Sequence, residues 1–256
     1  MSLIETEAIV LRTYKLAEAD KIVICLTKQH GLIRGVARGA RRLKSRFGAS
    51  LEPFTLVTLS YFEKEGRELM SLRHADILQS YFGLARDPEI FGTLEYMAGL
   101  AIEFAPPHEP NNDLFRLAKA CIASTFEDSE SLHDVARYFE VWTLRLAGFL
   151  PDFRTCANCR RRTGREASSV FLTPEGAVRC GTCAGDAGIS ISEQIRAQLH
   201  TIQTIGPSAW VSTSAERPST ARIALAQLTR KLITRALERK PIGPYSILPQ
   251  GMAAAQ

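Results

Sequence analysis

The first 80 residues alternate apolar and polar side chains in short runs that glycine or charged residues separate. Successive side chains of a β-strand point to opposite faces, so this alternation is typical of half-buried strands. It predicts five strands, over residues 7–14, 21–28, 32–38, 54–62 and 69–78. Five short strands with no long helix among them favour a small closed barrel, and the pattern alone also allows an SH3-like barrel.

From Asp87 onward the apolar residues recur at steps of three and four, which is the period of an amphipathic α-helix. Asp87 can cap free backbone N–H groups, and Pro88 suits the first helical position because the N–H it lacks would have no partner there. The pattern predicts five helices, which begin near residues 88, 112, 131, 192 and 219. The last of them is expected to end at Lys240, before a proline.

Four of the six cysteines form two Cys-x-x-Cys pairs, Cys156 with Cys159 and Cys180 with Cys183, separated by twenty residues. Each spacing lets a tight turn present two thiolates to one ion, and the separation suits a hairpin that completes a tetrahedron. Four thiolates leave no open coordination position, so the pattern predicts a structural zinc ion in an insert between the helices. Thiol–disulfide chemistry and four unligated cysteines are the alternatives.

A basic segment runs from Lys21 to Leu51, where eight Lys and Arg residues occur without a single Asp or Glu. The whole chain has a formal net charge of only +5, so positive charge is concentrated here. Cations neutralise phosphates and an aromatic ring can stack on a base, so the segment predicts nucleic-acid binding. The candidate binding residues are Arg34, Arg38, Arg41, Arg42, Lys44, Arg46 and Phe47. A solvated loop whose charges only promote solubility is the alternative.

Motifs for catalysis are missing from the sequence. It has no Gly-rich phosphate loop, HExxH pair or GxSxG elbow, and its histidines form no metal-ligand spacing. We therefore expect no enzymatic activity, since a hydrolase or nuclease would need a carboxylate cluster that the sequence does not indicate. The acidic start and the lack of a long apolar run favour a cytoplasmic protein without a signal peptide or membrane span. Cys25 and Cys121, in apolar surroundings, are expected to be core thiols.

Several stretches of the chain occur in the order and spacing of the RecO family. They are residues 7–14, 18–20, 27–31, 39–45, 51–54 and 142–151, and the last leads into the first cysteine pair. A barrel-like start, a Gly-Ala-Arg-Arg loop, and Gly-Phe-Leu-Pro followed by Cys-x-x-Cys form a specific combination. The chain thus resembles this family of bacterial recombination and repair mediators. One departure is Arg160, since a glycine often follows the second cysteine in the family.

The resemblance implies an α+β protein, in which an N-terminal OB-fold β-barrel precedes a helical domain with an inserted four-cysteine, zinc-finger-like element. The corresponding domains are a DNA-binding barrel over 1–80, helical regions over 81–152 and 189–245, the insert over 153–188 and a flexible tail over 246–256. This organisation agrees with the strands, helices and cysteine pairs predicted above from periodicity and spacing.

The resemblance also implies a function in DNA repair and recombination, in the cytoplasm and in association with the nucleoid. Family members bind single- and double-stranded DNA, anneal complementary strands without ATP, bind RecR, contact the C-terminal tail of single-stranded-DNA-binding protein, and help load the RecA recombinase. The basic residues named above then become DNA contacts on the barrel face. An RNA-binding module and a protein adaptor, each with the same barrel and structural zinc, are the alternatives.

Overall fold

The computed structural model describes residues 2–63, 69–106, 109–127, 131–163, 169–185 and 188–238. Its first five strands are β1 (Ser2–Leu16), β2 (Asp20–Thr27), β3 (Gly31–Ala37), β4 (Thr55–Glu63) and β5 (Leu69–Ser80). They form a closed barrel in the order β1-β2-β3-β5-β4, with β3 parallel to β5 and the other pairs antiparallel. This is an OB-type barrel, and the five predicted strands are confirmed.

β1 is longer than the predicted strand because it pairs with two neighbours. Its first half pairs with β4 and its second half pairs with β2. A bulge places Leu11 between the paired residues Val10 and Arg12, with no residue of β2 opposite it. Because a bulge bends a strand and increases its twist, β1 can curve from one neighbour to the other and close the barrel.

The barrel interior is filled by side chains from every strand. Val10, Val23, Ile33, Leu59 and Leu72, one from each strand in turn, are almost completely inaccessible to solvent. Burying each such side chain stabilises the fold by about 1.5–3 kcal/mol relative to leaving it exposed. Since side chains alternate along a strand, the neighbours of these residues point to the outer face of the barrel.

The described residues after the barrel form seven α-helices. They are α1 (Pro88–Phe104), α2 (Asn112–Glu127), α3 (Leu132–Leu146), α4 (Gly181–Ala184), α5 (Glu193–Ile202), α6 (Pro207–Ser212) and α7 (Ser219–Ala236). The five longer ones are those predicted. The helices α4 and α6 are too short to show a helical period in the sequence, so they were not predicted. The Asp87 carboxylate accepts hydrogen bonds from the N–H groups of Glu89 and Ile90 at 2.8 and 3.2 Å, as expected of the cap of α1. The predicted helix end at Lys240 and the tail over 246–256 lie outside the described residues.

The cysteine pairs lie in a small separate structure within the helical region. Strands β6 (Val170–Leu172), β7 (Val178–Cys180) and β8 (Ile189–Ser190) form an antiparallel sheet in the order β7-β6-β8. We call this sheet, α4 and the turn over residues 155–162 the cysteine element. It is the inserted element that the cysteine spacing predicted.

The chain divides into two compact units, and the boundary between them falls inside α3. One unit contains Met1–Phe139 and therefore the barrel, α1 and α2, while the other contains Glu140–Pro241 and therefore the cysteine element and α5 to α7. The domain bounds predicted from sequence, at residues 80, 152 and 188, stay predictions. Across the described ranges, no helix has the length and apolar character that a membrane span requires.

Candidate metal centre and basic barrel surface

The first cysteine pair lies in a tight turn between Thr155 and Arg162, whose backbones form an isolated β-bridge. The Cys156 carbonyl accepts a hydrogen bond from the Arg160 N–H at 3.0 Å, which closes the turn. Arg160 has a positive φ of 60°, the left-handed conformation that glycine adopts most easily. The arginine at this position therefore follows the backbone path that a glycine would take.

The second pair lies where β7 meets α4. Cys180 is the last residue of β7 and the N-cap of α4, and Cys183 lies within that helix. The Ala157 N–H donates a hydrogen bond to the Val178 carbonyl at 2.8 Å. This contact joins the first turn to the strand that carries the second pair.

The four sulfur atoms converge between the two turns. The Sγ atoms of Cys156, Cys159, Cys180 and Cys183 all lie within 4.8 Å of one another, and the Cys159–Cys180 distance is 3.8 Å. Four thiolates bound to zinc at about 2.3 Å in a tetrahedron are also about 3.8 Å apart. The four predicted cysteines thus come together and could hold a metal ion. In the described part of the chain, no other group of His, Cys, Asp and Glu side chains forms such a cluster.

Backbone N–H groups favour the ionised form of two of these thiols. The N–H of Cys159, followed by that of Cys180, hydrogen-bonds to the Cys156 sulfur and lowers the pKa of Cys156 to about 6. The Cys183 N–H, in α4, lowers the pKa of Cys180 in the same way. The Arg161 N–H also lowers the pKa of Cys159, but the Cys156 sulfur and lost hydration raise it to a net value of about 11. These hydrogen bonds therefore favour the thiolate at both residues, which is the form that binds a metal.

We expect Arg160→Gly to stabilise the cysteine element by up to about 1 kcal/mol, because relief of the left-handed side-chain strain exceeds the entropy cost of ordering a glycine. The matched control is Arg161→Gly, which removes the same charge at a residue without a positive φ and is expected to destabilise the element. Thermal unfolding of the metal-bound protein compares the two variants. A lower midpoint for Arg160→Gly than for Arg161→Gly would contradict the expectation.

The predicted cations lie on the solvent side of the barrel, on β3 and on the loop that follows it. Arg34 alternates with the buried Ile33 and Gly35 along β3, and Arg38 directly follows the strand. The exposed cations of this segment are Arg34, Arg38, Arg41, Arg42, Lys44 and Arg46. Their exposure leaves the charged groups accessible to a ligand.

Hydrogen bonds to the turn between β1 and β2 and to the first residue of β2 anchor the first part of this loop. The Gly39 N–H donates to the Asp20 carboxylate at 2.8 Å, and the Arg41 guanidinium donates to the Glu18 carbonyl at 2.8 Å. These bonds hold the backbone where the loop leaves the barrel. The neighbouring cations are therefore attached to a fixed part of the chain.

Of the eight cations of the basic segment, two pair with carboxylates. Lys21 pairs with Glu52 at 3.2 Å, and Lys28 pairs with Glu7 at 2.6 Å. The hydrogen bond from Lys28 lowers the pKa of Glu7, which keeps this partner ionised. Within the residues that the structure describes, none of the other six cations forms an ion pair with a carboxylate. Those six charges therefore remain available to an anionic ligand.

Phe47 requires a correction, because it does not offer the exposed ring expected for base stacking. Its side chain is 3% exposed and belongs to the hydrophobic core of the barrel. The guanidinium carbon of Arg46 lies 5.0 Å from the centre of the ring. The loop returns to the barrel at this residue, and burial of an aromatic ring there outweighs its exposure beside the cations.

Arg73 is a surface cation that the basic segment did not include. In the parallel pair of β3 and β5, Val36 lies opposite Ser71. Two residues further along the same outer face come Arg38 and Arg73, and both are exposed. The buried Leu72 signals that Arg73 points outward. Its place beside β3, however, depends on a strand pairing that the sequence does not reveal.

The two remaining cysteines are buried, as predicted. Cys25 in β2 and Cys121 in α2 are both 0% exposed. Burial raises the pKa of Cys25 to about 12 and raises that of Cys121 as well. Both residues are therefore protonated thiols of the core and contribute no metal ligand.

An OB barrel with an exposed row of cations, together with helices and a four-cysteine cluster, defines an α+β protein with a candidate metal centre. The family model described as Recombination protein O N terminal matches residues 1–81. The model described as Recombination protein O C terminal matches residues 85–243. The chain belongs to the RecO family of DNA repair and recombination proteins.

Proteins named DNA repair protein RecO are similar to this chain over most of their length. The protein of Koribacter versatilis is 36% identical over 191 residues, which are 74% of this chain and 75% of the relative. That of Geobacter metallireducens is 36% identical over 202 residues, or 76% and 78%. That of Bifidobacterium animalis subsp. lactis is 34% identical over 240 residues, or 85% and 97%. These relatives support a role in DNA repair.

Proposed function

We propose that this protein is a recombination mediator that binds single- and double-stranded DNA and anneals complementary strands. With RecR, it helps load the RecA recombinase onto strands coated by single-stranded-DNA-binding protein. The observation that carries the proposal is the set of six exposed cations on β3 and its following loop. Membership in the RecO family supports it further. The place of action that we propose is the cytoplasm, at the nucleoid.

Annealing on this surface requires no bond chemistry, so the protein acts in the proposal as a binding partner and not as an enzyme. Phosphates of two complementary strands repel each other, and cations that neutralise them release condensed counterions and weaken the repulsion. Base pairing then supplies the driving force. Since phosphate contacts carry no direct sequence information, the surface suits any complementary pair.

Zinc is the metal that we propose for the four cysteines, in a structural role. Four thiolate ligands leave no position for a water molecule or a substrate. The strands β6, β7 and β8 contain only three, three and two residues, so the cysteine element has little apolar surface to bury. Zinc binding in comparable small elements contributes about 10–16 kcal/mol of apparent free energy. The fold of the element would therefore depend on the ion.

A cleft in the second compact unit offers a site for the acidic, Phe-ended tail of single-stranded-DNA-binding protein. The cleft has a volume of about 580 Å³. Its lining includes Arg145 and Arg154, the latter paired with Asp152 at 3.0 Å, and the apolar side chains of Leu150, Phe153 and Leu199. Cations can pair with acidic residues of such a tail while apolar walls receive its aromatic ring, so we assign the tail contact to this cleft.

Replacing Arg34, Arg38 and Arg42 with alanine is expected to weaken single-stranded-DNA binding about 10- to 100-fold at low salt and to flatten its salt dependence. Each lost phosphate contact lowers the slope of log K against log salt by about 0.7. These three side chains form no hydrogen bond with another described residue, so their removal leaves the Arg41 anchor in place. Fluorescence anisotropy of a labelled strand across a salt series measures both quantities.

The matched control replaces Arg86, Arg116 and Lys231, three exposed cations outside the basic segment, and should keep the wild-type slope. Equal losses in the two triple variants would indicate a general charge effect and count against the barrel surface. A wild-type protein without affinity for DNA would favour the adaptor alternative. Preference for an RNA strand of the same sequence over the DNA strand would favour the RNA-binding alternative.

A further inference from the structure

A row of outward-facing side chains crosses four strands of the barrel. Tyr14 of β1 pairs with Ile22 of β2, Ile22 pairs with Val36 of β3, and Val36 pairs with Ser71 of β5. Ile22 and Val36 are half-buried, and the residue that follows each along its strand, Val23 or Ala37, lies in the core. The row is therefore a shallow apolar strip on the outer face, with Tyr14 at one end.

Cations lie on both sides of this strip. Arg34 comes two residues before Val36 on β3, and Arg38 comes two residues after it, so both flank the row on the same face. Arg73 follows Ser71 on β5 in the same way. Neighbouring strands are about 4.8 Å apart, so the cations lie within a few strand spacings of Tyr14.

The Tyr14 side chain has no structural task that its surroundings reveal. It is 48% exposed, although an aromatic ring gains free energy from burial. Among the described residues it forms no hydrogen bond or ring contact, whereas Phe47, the other aromatic near the cations, is buried in the core. Tyr14 is thus an exposed aromatic ring at the edge of a basic surface.

We propose that Tyr14 stacks on a base of single-stranded DNA while Arg34, Arg38 and Arg73 contact the flanking phosphates. This assignment rests on the proposed DNA-binding function and adds the residue that recognises an unpaired base. Every base has a π-face, so stacking is tolerant of sequence. Bases within a duplex are already stacked on their neighbours, so the contact favours single strands over double strands.

Anisotropy with two labelled strands tests the stacking contact: an oligothymidine, and the same backbone with abasic sites in place of the bases. Tyr14→Val removes the ring but keeps a residue that favours strands. It is expected to weaken oligothymidine binding about 5- to 100-fold, the range for loss of one stacked base, with an unchanged salt slope. It should leave binding of the abasic strand unchanged. Tyr14→Phe keeps the ring and should keep the wild-type affinity for both strands.

Two outcomes would overturn the stacking role while leaving the proposed DNA-binding function intact. One is a Tyr14→Val protein that binds oligothymidine as the wild type does, and the other is an equal loss of affinity for both strands. Absence of salt-dependent binding in the wild type would overturn both proposals. Should Tyr14→Val fail to fold, photocrosslinking of wild-type protein to bromouracil-substituted single-stranded DNA decides: an adduct at Tyr14 supports the assignment, and adducts only elsewhere overturn it.

Discussion

The double variant Cys156→Ser/Cys180→Ser is expected to purify without zinc and with an unfolded cysteine element. It removes one ligand from each pair, and the two thiolates that remain cannot complete a tetrahedral site. Since metal binding in such elements contributes about 10–16 kcal/mol, the small sheet of β6, β7 and β8 cannot replace it. Elemental analysis measures zinc per chain, and limited proteolysis with mass spectrometry locates new cleavage sites between Cys156 and Cys183.

The control for this experiment is Cys25→Ala, because Cys25 is a buried thiol of the barrel core that takes no part in the cluster. It should retain one zinc ion per chain and a protease-resistant cysteine element. If the double variant also retained equimolar zinc and the same resistance, the proposed metal site would be refuted. Wild-type protein that contains another metal in equimolar amount would leave the site in place and change the identity of the ion.

Gly31→Ala is expected to reduce the free energy of unfolding of the compact unit that contains the barrel by about 3–5 kcal/mol. Gly31 begins β3 with a φ of +63°, a conformation that strains any residue with a side chain. A Cβ atom at this position would also overlap the backbone carbonyl oxygen of Glu109. Backbone cannot move aside as a flexible side chain can, so the clash adds to the strain. Urea unfolding followed by circular dichroism measures the loss.

Gly48→Ala is the control that separates these two causes. Gly48 also has a positive φ, of +49°, but a Cβ there would meet no atom within 4 Å. The variant is therefore destabilised only by the left-handed conformation, which lowers the free energy of unfolding by about 1–2 kcal/mol. The difference between the two variants measures the close approach of Glu109 to Gly31. Equal losses of stability in both would contradict this contact.

Local patterns account for the elements that the sequence predicted correctly. The two-residue alternation along β2 and β3 leaves Val23 and Ile33 in the core because a strand points successive side chains to opposite faces. The Asp87 cap marks the start of α1 because it needs only backbone N–H groups two and three residues away. Such signals extend over a few residues and need no knowledge of the rest of the fold.

The cysteine cluster shows how far spacing alone can reach. Each Cys-x-x-Cys pair fits within a single turn, so the sequence predicted that Cys156 would lie near Cys159 and Cys180 near Cys183. The two turns were then predicted to share one ion, because two thiolates do not complete a tetrahedral metal site. The structure brings the four sulfurs within 4.8 Å. It also explains how Arg160 replaces a glycine, through a left-handed backbone that no sequence pattern indicated.

The sequence by itself determined which segments form strands and helices, where positive charge accumulates, and which cysteines share a site. Only the tertiary structure decided which side chains meet on the barrel surface. Phe47 follows the exposed cations in the chain, but its side chain turns into the core. Arg73 and Tyr14 are distant from these cations in sequence. Arg73 reaches the cationic face because β5 pairs with β3, and Tyr14 reaches it because β1 pairs with β2. The physical reason is that strand partners and loop paths are selected by the packing of one shared core, to which residues from the whole barrel contribute.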